Sequence, residues 1–352
     1  MVAPLVSIGA QTLMETPLPP VTWLVEGLLA TGSTVIFASR PKIGKSWAVL
    51  QLGHCIATGK PFLDRSTKKS GVVYLALEDP LKRLQSRLWN LDEQSSDNFH
   101  LVTRANTLGQ GLIDQMAGLL KEDPTIRLVI IDTLQVTRDP GADYSYATDY
   151  ADLRQYKEFA DEHDVCCLLV HHLRKAESRD DDMLDISGTS GISGAVDQMM
   201  VLKKQNRADK EAKLSITGRD IEYTELIIER QNNWWVLVDT LTESDIREQS
   251  IPEDVKSVAN FIFAQGESWR GTASDLLMRL GFGELTAPVL GKHLAQHREY
   301  LAGLGIKYTV KRTSSERLIS LDLDLSSIVD NDGNDGSDGS YEGSQMLSLL
   351  AV

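Results

Sequence analysis

The chain has 352 residues, of which 42% are hydrophobic and 24% are charged; this composition is typical of a globular protein with about two domains. The formal net charge of −14 argues against adhesion of the whole surface to nucleic acid, but it leaves open a local basic channel. No uncharged apolar stretch reaches the ~18 residues of a membrane span, and the N-terminus lacks the layout of a secretion signal. The three cysteines have neither the spacing of a disulfide framework nor that of a metal knuckle, which fits a reducing compartment. From these observations we expect a cytoplasmic protein without membrane contact.

Short apolar runs alternate with helical patterns from about residue 33 to residue 203, which predicts an α/β fold with a mostly parallel sheet. The predicted strands cover 34–38, 72–77, 128–131, 165–170 and 198–202. The predicted helices cover 45–55, 81–91, 113–121 and 146–162, and Asp79-Pro80 forms the expected start of the second. Three further short strands, at 213–217, 224–229 and 234–238, predict an antiparallel extension of the sheet.

The C-terminal part of the chain has a different pattern. Residues 243–252 are polar and end in proline, which predicts a linker. Three helices at 255–264, 273–280 and 287–301 and two strands at 306–310 and 318–321 then predict a small winged helix-turn-helix domain. We therefore predict an α/β core domain at 1–245, a winged-helix-like domain at 246–325 and a disordered acidic tail at 326–352. The tail is either a docking segment or a solubilising end.

The segment from Ser39 to Ser46 reads Ser-Arg-Pro-Lys-Ile-Gly-Lys-Ser, and it follows a predicted strand and opens a predicted helix. This is the context of a P-loop, in which backbone N–H groups and the helix N-terminus bind phosphate. Lys45 would contact the β and γ phosphates, and Ser46 would bind Mg²⁺. Ser39 replaces the usual first glycine and is expected to restrict the turn. The candidate nucleotide contacts are Arg40, Lys42, Ile43, Gly44, Lys45, Ser46 and Trp47.

Carboxylates and histidines follow three other predicted strands. Asp132 ends an apolar strand, as in the Walker B motif, and is the second candidate ligand of Mg²⁺. Glu78 also ends a strand, and it is either the base that activates water or a cap of the next helix. Asp79 is better placed than Glu78 for the capping role. His172 is a candidate γ-phosphate sensor, whereas His171 is expected to bond a backbone group.

Together, Gly44-Lys45-Ser46, Glu78, Asp132 and the Val-His-His-Leu-Arg-Lys run at 170–175 resemble the RecA-like ATPase core. The combination is most similar to the hexameric RepA-type replicative helicases of plasmids and phages, over about residues 15–240. This resemblance implies ATP and Mg²⁺ as cofactors and a homo-oligomeric ring with nucleotide between subunits. It also implies an arginine finger in trans, for which Arg219 is the candidate; a surface ion pair with Asp220 is the alternative.

The same resemblance implies single-stranded DNA in a central channel, bound by loops at 137–146 and 174–193. Candidate DNA contacts there are Arg138, Arg174, Lys175, Arg179, Tyr144 and Tyr146. The three aspartates at 180–182 oppose phosphate binding and are more simply a solvated charge run.

The predicted C-terminal module carries basic residues on its third helix and wing. These are Lys292, His293, His297 and Arg298 on the helix, and Lys311, Arg312 and Arg317 on the wing. They fit contact either with duplex DNA or with replication proteins. From the site motifs and the RepA-type resemblance, the predicted function is an ATP-driven helicase that moves on single-stranded DNA during replication of a mobile element. The alternatives are a filament-forming recombination ATPase and an ATP-switched DNA-binding regulator.

Overall fold

The structure is a computed structural model, and it describes residues 7–18, 20–139, 146–173, 182–186, 190–206, 208–283, 285–312 and 316–324. The chain forms two compact units, Met1–Glu243 and Ser244–Val352. The expected acidic tail lies outside the described residues, as do Tyr144, Arg174, Lys175 and Arg179. Among the helices that are described, none is long and apolar enough to cross a bilayer.

The first unit is built on a large sheet. A short helix α1 (Ala10–Glu15) and a hairpin of β1 (Trp23–Val25) and β2 (Leu29–Ala30) precede the sheet. The sheet strands are β3 (Ser33–Ser39), β4 (Gly71–Ala76), β5 (Phe99–Val102), β6 (Ile126–Asp132), β7 (Cys166–His172), β8 (Gln198–Lys203), β9 (Glu211–Gly218), β10 (Thr224–Gln231) and β11 (Trp234–Thr242). Their order across the sheet is β11-β10-β9-β8-β3-β7-β6-β4-β5.

The strands from β8 to β5 in that order are parallel, and β9, β10 and β11 add an antiparallel extension. The predicted α/β fold with a mostly parallel sheet is therefore confirmed. Sequence analysis did not predict β5, because Phe-His-Leu-Val is too short and mixed in polarity to give a clear pattern.

Helices cover both faces of this sheet. They are α2 (Lys45–Thr58), α3 (Leu81–Leu91), α4 (Leu112–Glu122), α5 (Tyr146–His163) and α6 (Ser190–Ala195), with 3-10 turns at Leu108–Gln110, Leu134–Thr137 and Asp182–Asp185. The core on one face includes residues of α2 and α3, and the core on the other includes residues of α4 and α5. Burial on both faces explains why the parallel strands are continuous apolar runs rather than alternating ones.

The register of the parallel strands decides where their last residues lie. Ser39 at the end of β3 pairs with His172 at the end of β7, and Ala76 at the end of β4 pairs with Asp132 at the end of β6. The segments that leave these strands therefore emerge at one edge of the sheet, the usual location of a ligand site in such folds.

The second unit has helices and a three-stranded antiparallel sheet. Most of the segment predicted as a linker is helical, and it forms α7 (Glu243–Ser250). The following elements are α8 (Glu253–Gln265), β12 (Trp269–Thr272), α9 (Ala273–Leu280), α10 (Ala287–Gln296), α11 (Arg298–Gly303), β13 (Ile306–Arg312) and β14 (Arg317–Leu323). The sheet order is β12-β14-β13, and the unit has its own apolar core.

The single helix predicted at 287–301 is wrong, because the structure divides it into α10 and α11. His297, between them, has φ −104° and ψ 28°, outside the α-helical region. No glycine or proline marks this break in the sequence. The apolar spacing of Leu290, Leu294 and Leu301 continues across it, so the break was invisible to periodicity.

Candidate nucleotide-binding site

The loop between β3 and α2 has the geometry of an anion site. Gly44 directly precedes the 14-residue helix α2 and has φ 114°, which favours glycine. Lys42 also has a positive φ, of 70°. Ser39 is a buried residue of β3, and no positive φ occurs there. The expected turn restriction at Ser39 is therefore wrong, because the strand conformation suits any residue; the strained non-glycine position is Lys42 instead.

Lys45, the first residue of α2, points its ammonium group toward the ends of the neighbouring strands. Its Nζ donates to the carbonyl oxygen of His171 at 3.1 Å and lies 3.2 Å from Nδ1 of His172. Burial lowers the pKa of Lys45 below its usual value, while the carboxylates of Asp132 and Glu78 oppose that shift. The ammonium thus lies within the electrostatic reach of both predicted acidic site residues.

Asp132 lies at the end of β6 with 5% of its surface exposed. Ser46 bonds to its side chain, and the hydroxyl of Tyr74 donates to Oδ2 at 2.8 Å. Burial raises the pKa of Asp132, and the bonds from Tyr74 and Ser46, together with the charge of Lys45, oppose this shift. Ser46 and Asp132 therefore form a pair of hard oxygen donors, which is the ligand chemistry that Mg²⁺ prefers.

Glu78 is exposed at the same sheet edge, two residues beyond β4. The hydroxyl of Thr133 donates to its Oε1 at 3.2 Å and fixes it beside the end of β6. The peptide bond between Asp132 and Thr133 is cis. Within the described part of the chain no side chain caps α3, so neither Glu78 nor Asp79 has the alternative role of a helix cap. Asp79 instead accepts hydrogen bonds from Arg83, at 2.7 Å, and from Arg87.

His172 is half-buried at the end of β7. Because an ammonium group can only donate, Nδ1 of His172 accepts the hydrogen bond from Lys45, and the neutral ring carries its proton on Nε2. Burial and the charge of Lys45 lower the pKa of His172, which keeps the ring neutral at pH 7. A neutral ring with an Nε2–H donor suits the predicted sensing of a γ-phosphate.

Arg219 is not near this site within one copy of the chain. Gly218 pairs with Gln198, the first residue of β8, at the sheet edge opposite to the P-loop. The Arg219 side chain is 61% exposed and lies 3.5 Å from Oδ1 of Asp197. The expected alternative pair with Asp220 is therefore replaced by a pair with Asp197, and a role in trans stays a prediction.

Sequence analysis missed the contribution of β10 and β11 to the site. The ring of Trp235 packs on Gly44, and its Nε1 donates to the Gly44 carbonyl at 3.4 Å. The guanidinium of Arg230 lies 4.6 Å from the ring centre of Trp47, and that of Arg87 lies 5.7 Å from it. The two adjacent tryptophans at 234–235 were the available signal, because side chains of this size contribute strongly to packing and to contacts.

The predicted DNA loops are only partly described. Arg138 is buried and pairs with Asp149 at 2.8 Å and with Asp152 at 3.3 Å, so its expected DNA contact is wrong in this conformation. Tyr146 is 52% exposed and stacks on Tyr150, with ring centres 6.3 Å apart.

Asp182 is not solvated as expected. It pairs with Lys203 at 2.7 Å and with Lys213 at 3.0 Å, and it accepts a bond from Ser215 at 2.9 Å. Its carboxylate therefore connects the 3-10 turn at Asp182–Asp185 to strands β8 and β9.

In the second unit, His293 on α10 does not contribute to an exposed basic surface. Its Nδ1 lies 2.8 Å from Oδ2 of Asp254, a buried residue of α8. Lys292, Arg298, Lys311, Arg312 and Arg317 are exposed.

A protein-family model described as an AAA domain matches residues 6–178. This segment is similar to the AAA domain family. The matched range contains Lys45, Glu78, Asp132 and His172, and the similarity supports an ATP-hydrolysing enzyme. No curated protein sequence matches the chain.

Several solved structures are similar in fold. One of them, an ATPase domain, has 16% identity and a TM-score of 0.49, over 59% of this chain and 86% of that one. A DnaB-like replicative helicase, described with its interactions with primase, has 15% identity and a TM-score of 0.49, over 59% of this chain and 58% of that one. A KaiC-like protein from the archaeon Pyrococcus horikoshii has 15% identity and a TM-score of 0.46, over 62% of this chain and 100% of that one.

Proposed function

We propose that this protein is a RecA-like ATPase that works as a ring-shaped motor on single-stranded DNA. The observation that carries the proposal is the meeting of Lys45, Ser46, Glu78, Asp132 and His172 at one edge of the sheet, beside the N-terminus of α2. Four separate segments supply these five side chains, and all five have the chemistry that phosphoryl transfer requires.

In this proposal, the N–H groups at the start of α2 and the ammonium of Lys45 bind the β and γ phosphates of ATP. Ser46 and Asp132 hold Mg²⁺, which supplies positive charge to the phosphate oxygens when it is bound. Glu78, oriented by Thr133, accepts a proton from a water molecule whose oxygen attacks the γ-phosphorus. The bond from that phosphorus to the bridging oxygen breaks, and ADP and phosphate leave. His172 donates from Nε2 to the γ-phosphate and responds to its loss.

Exposed apolar side chains support a homo-oligomer, with a hexameric ring as the form that the RepA-type resemblance implies. These side chains are Ile8, Leu13, Met14, Leu18 and Val21 before the core, and Leu81 and Trp89 on α3. No residue of α1 is buried. Exposed apolar side chains that form a contiguous patch mark contacts between proteins, and a neighbouring subunit would also bring its Arg219 to the nucleotide.

The stacked pair of Tyr146 and Tyr150 supports contact with single-stranded DNA. The two rings lie at the start of α5, after the Walker B strand, and both are more than two fifths exposed, at 52% and 42%. Aromatic side chains in such a position stack on bases without sequence preference. The mobile-element role rests on the RepA-type resemblance.

For the second unit we propose a winged-helix domain. The order α8, β12, α9, α10, α11, β13, β14 and the sheet order β12-β14-β13 support it, with Lys311, Arg312 and Arg317 on the hairpin that would be the wing. The basic residues on this hairpin also favour the second candidate function, which is an ATP-switched regulator whose wing contacts DNA or a replication protein.

The test of the motor is ATP hydrolysis with and without single-stranded DNA, followed by strand displacement on a forked substrate. We expect DNA to stimulate hydrolysis and displacement to depend on ATP. Lys45→Ala should abolish both, whereas Lys121→Ala, on α4, should change neither. A recombination filament would be indicated by two results together: DNA stimulates hydrolysis without displacing a strand, and mass photometry detects long polymers. A sequence-dependent footprint that survives Lys45→Ala would indicate the regulator.

A further inference from the structure

One polar side-chain atom lies in the otherwise apolar strand β4. Tyr74 occupies the middle of Gly-Val-Val-Tyr-Leu-Ala, has 0% exposure, and its hydroxyl donates to Oδ2 of Asp132 at 2.8 Å. A buried phenol needs a hydrogen-bond partner, so a phenylalanine would fill the same space without this requirement. The hydroxyl is therefore the feature of Tyr74 that packing does not explain.

The register of the sheet makes the contact possible. Tyr74 pairs directly with Ile130 on the neighbouring strand β6, whereas Asp132 lies two residues further along and pairs with Ala76. Residues two apart on a strand share a face, and a long side chain reaches its diagonal neighbour across the pair. The ring of Phe99 on β5 stacks on Tyr74 with centres 6.5 Å apart and planes at 16°. The phenol is thus fixed from both sides.

The carboxylate of Asp132 is held by more than one donor. Tyr74 binds one of its oxygens, Ser46 also donates to the side chain, and Lys45 contributes charge. Without the phenol, the carboxylate could rotate about its terminal torsion, which is soft for aspartate. Rotation would move an oxygen away from Ser46, the other candidate ligand of Mg²⁺.

We propose that Tyr74 is a positioning residue of the Mg²⁺ site, whose hydroxyl holds the Asp132 carboxylate in the orientation that binds the ion together with Ser46. The inference rests on the proposed function of the site. It adds to that function a residue that acts through Asp132, to which its hydroxyl donates. Residues that orient a metal ligand commonly change metal affinity by 10–100-fold when they are removed.

The experiment measures binding of a fluorescent ADP analogue at increasing Mg²⁺ concentration, for the full chain and for Tyr74→Phe. We expect the variant to need roughly ten times more Mg²⁺, or more, for half of the metal-dependent signal. Affinity for the analogue in EDTA should stay unchanged. The matched control is Tyr156→Phe, which removes an equally buried hydroxyl that donates to Thr137 at 2.7 Å on the opposite face of the sheet; its Mg²⁺ midpoint should equal that of the unmodified chain.

The Asp132→Ala background separates positioning from packing. If Tyr74 acts through Asp132, Tyr74→Phe causes no further change in the Mg²⁺ midpoint once the carboxylate is gone. An unchanged midpoint in the single variant would overturn the assignment. The assignment would also be overturned if Tyr74→Phe lowered thermal stability and weakened binding of the ADP analogue in EDTA, both in the otherwise unmodified chain and in Asp132→Ala. That result would indicate a defect in the core. An unmodified chain that binds no nucleotide would instead contradict the proposed function itself.

Discussion

The indole ring of Trp235 packs on Gly44, so the hairpin of β10 and β11 fixes the end of the P-loop. A Cβ atom on Gly44 would lie 2.8 Å from Cζ2 of Trp235, closer than van der Waals contact allows. The side chain of Gln51 holds Trp235 in place through two hydrogen bonds to its backbone, each of 2.8 Å. The antiparallel extension of the sheet therefore has a direct structural role in the proposed phosphate site.

Gly44→Ala should disrupt this arrangement. The new methyl group meets Trp235, and the φ of 114° is unfavourable for alanine, so we expect a loss of about 1–3 kcal/mol in the free energy of unfolding. Nucleotide binding should fall below detection by calorimetry. The control is Gly118→Ala on α4, where no described atom lies within 4 Å of the added carbon; it should stabilise the protein by about 0.5–1 kcal/mol. Normal binding by Gly44→Ala would show that the loop tolerates a side chain there.

Arg138→Ala should reveal a structural rather than a DNA-binding role. The Arg138 and Asp149 side chains are 4% and 2% exposed, and removal of the arginine leaves the aspartate charge buried. We expect a loss of about 3–5 kcal/mol in urea unfolding. Arg154→Ala, which breaks an exposed pair with Glu158, should cost no more than about 1 kcal/mol. If Arg138→Ala kept full stability and lost DNA affinity, the role in DNA contact would be restored.

The protonation of His172 should make stability depend on pH. Its pKa in the folded protein lies below the unfolded value of about 6.5, so the unfolded chain binds the proton more readily. The free energy of unfolding should therefore decrease as pH falls through about 6.5 toward the folded pKa. Urea unfolding between pH 5 and pH 8 (about the range in which histidine titrates) checks this. His172→Gln should show a smaller slope than the unmodified chain, and an identical slope would contradict the assignment.

Much of the fold of the first unit was predictable, because the patterns that indicate it lie within short stretches of sequence. The runs that form β3, β4, β6 and β7 are continuous and apolar, and the P-loop residues are adjacent in sequence. Parallel strands end at the same edge of a sheet whatever their order. The sequence therefore predicted that Lys45, Glu78, Asp132 and His172 lie at one edge.

The features that sequence analysis missed depend on contacts between distant segments. Tyr74 reaches Asp132 because of the strand register, and Trp235 reaches Gly44 because the chain returns to the P-loop after 191 residues. Arg138 was missed for another reason: it pairs with Asp149 on the nearby helix α5, and no local pattern in the sequence indicates this pair. The RepA-type resemblance and the positive charge of Arg138 indicated a DNA contact, whereas the structure buries this side chain in an ion pair.

In the proposed mechanism, separate residues of one site bind ATP and activate water. The most direct test measures ATP affinity and hydrolysis rate side by side for the unmodified chain and Glu78→Gln, with Glu158→Gln on α5 as an exposed control. We expect Glu78→Gln to bind ATP normally but to hydrolyse it roughly 100-fold more slowly, and Glu158→Gln to match the unmodified chain in both measurements. An unchanged hydrolysis rate in Glu78→Gln would show that Glu78 does not activate water.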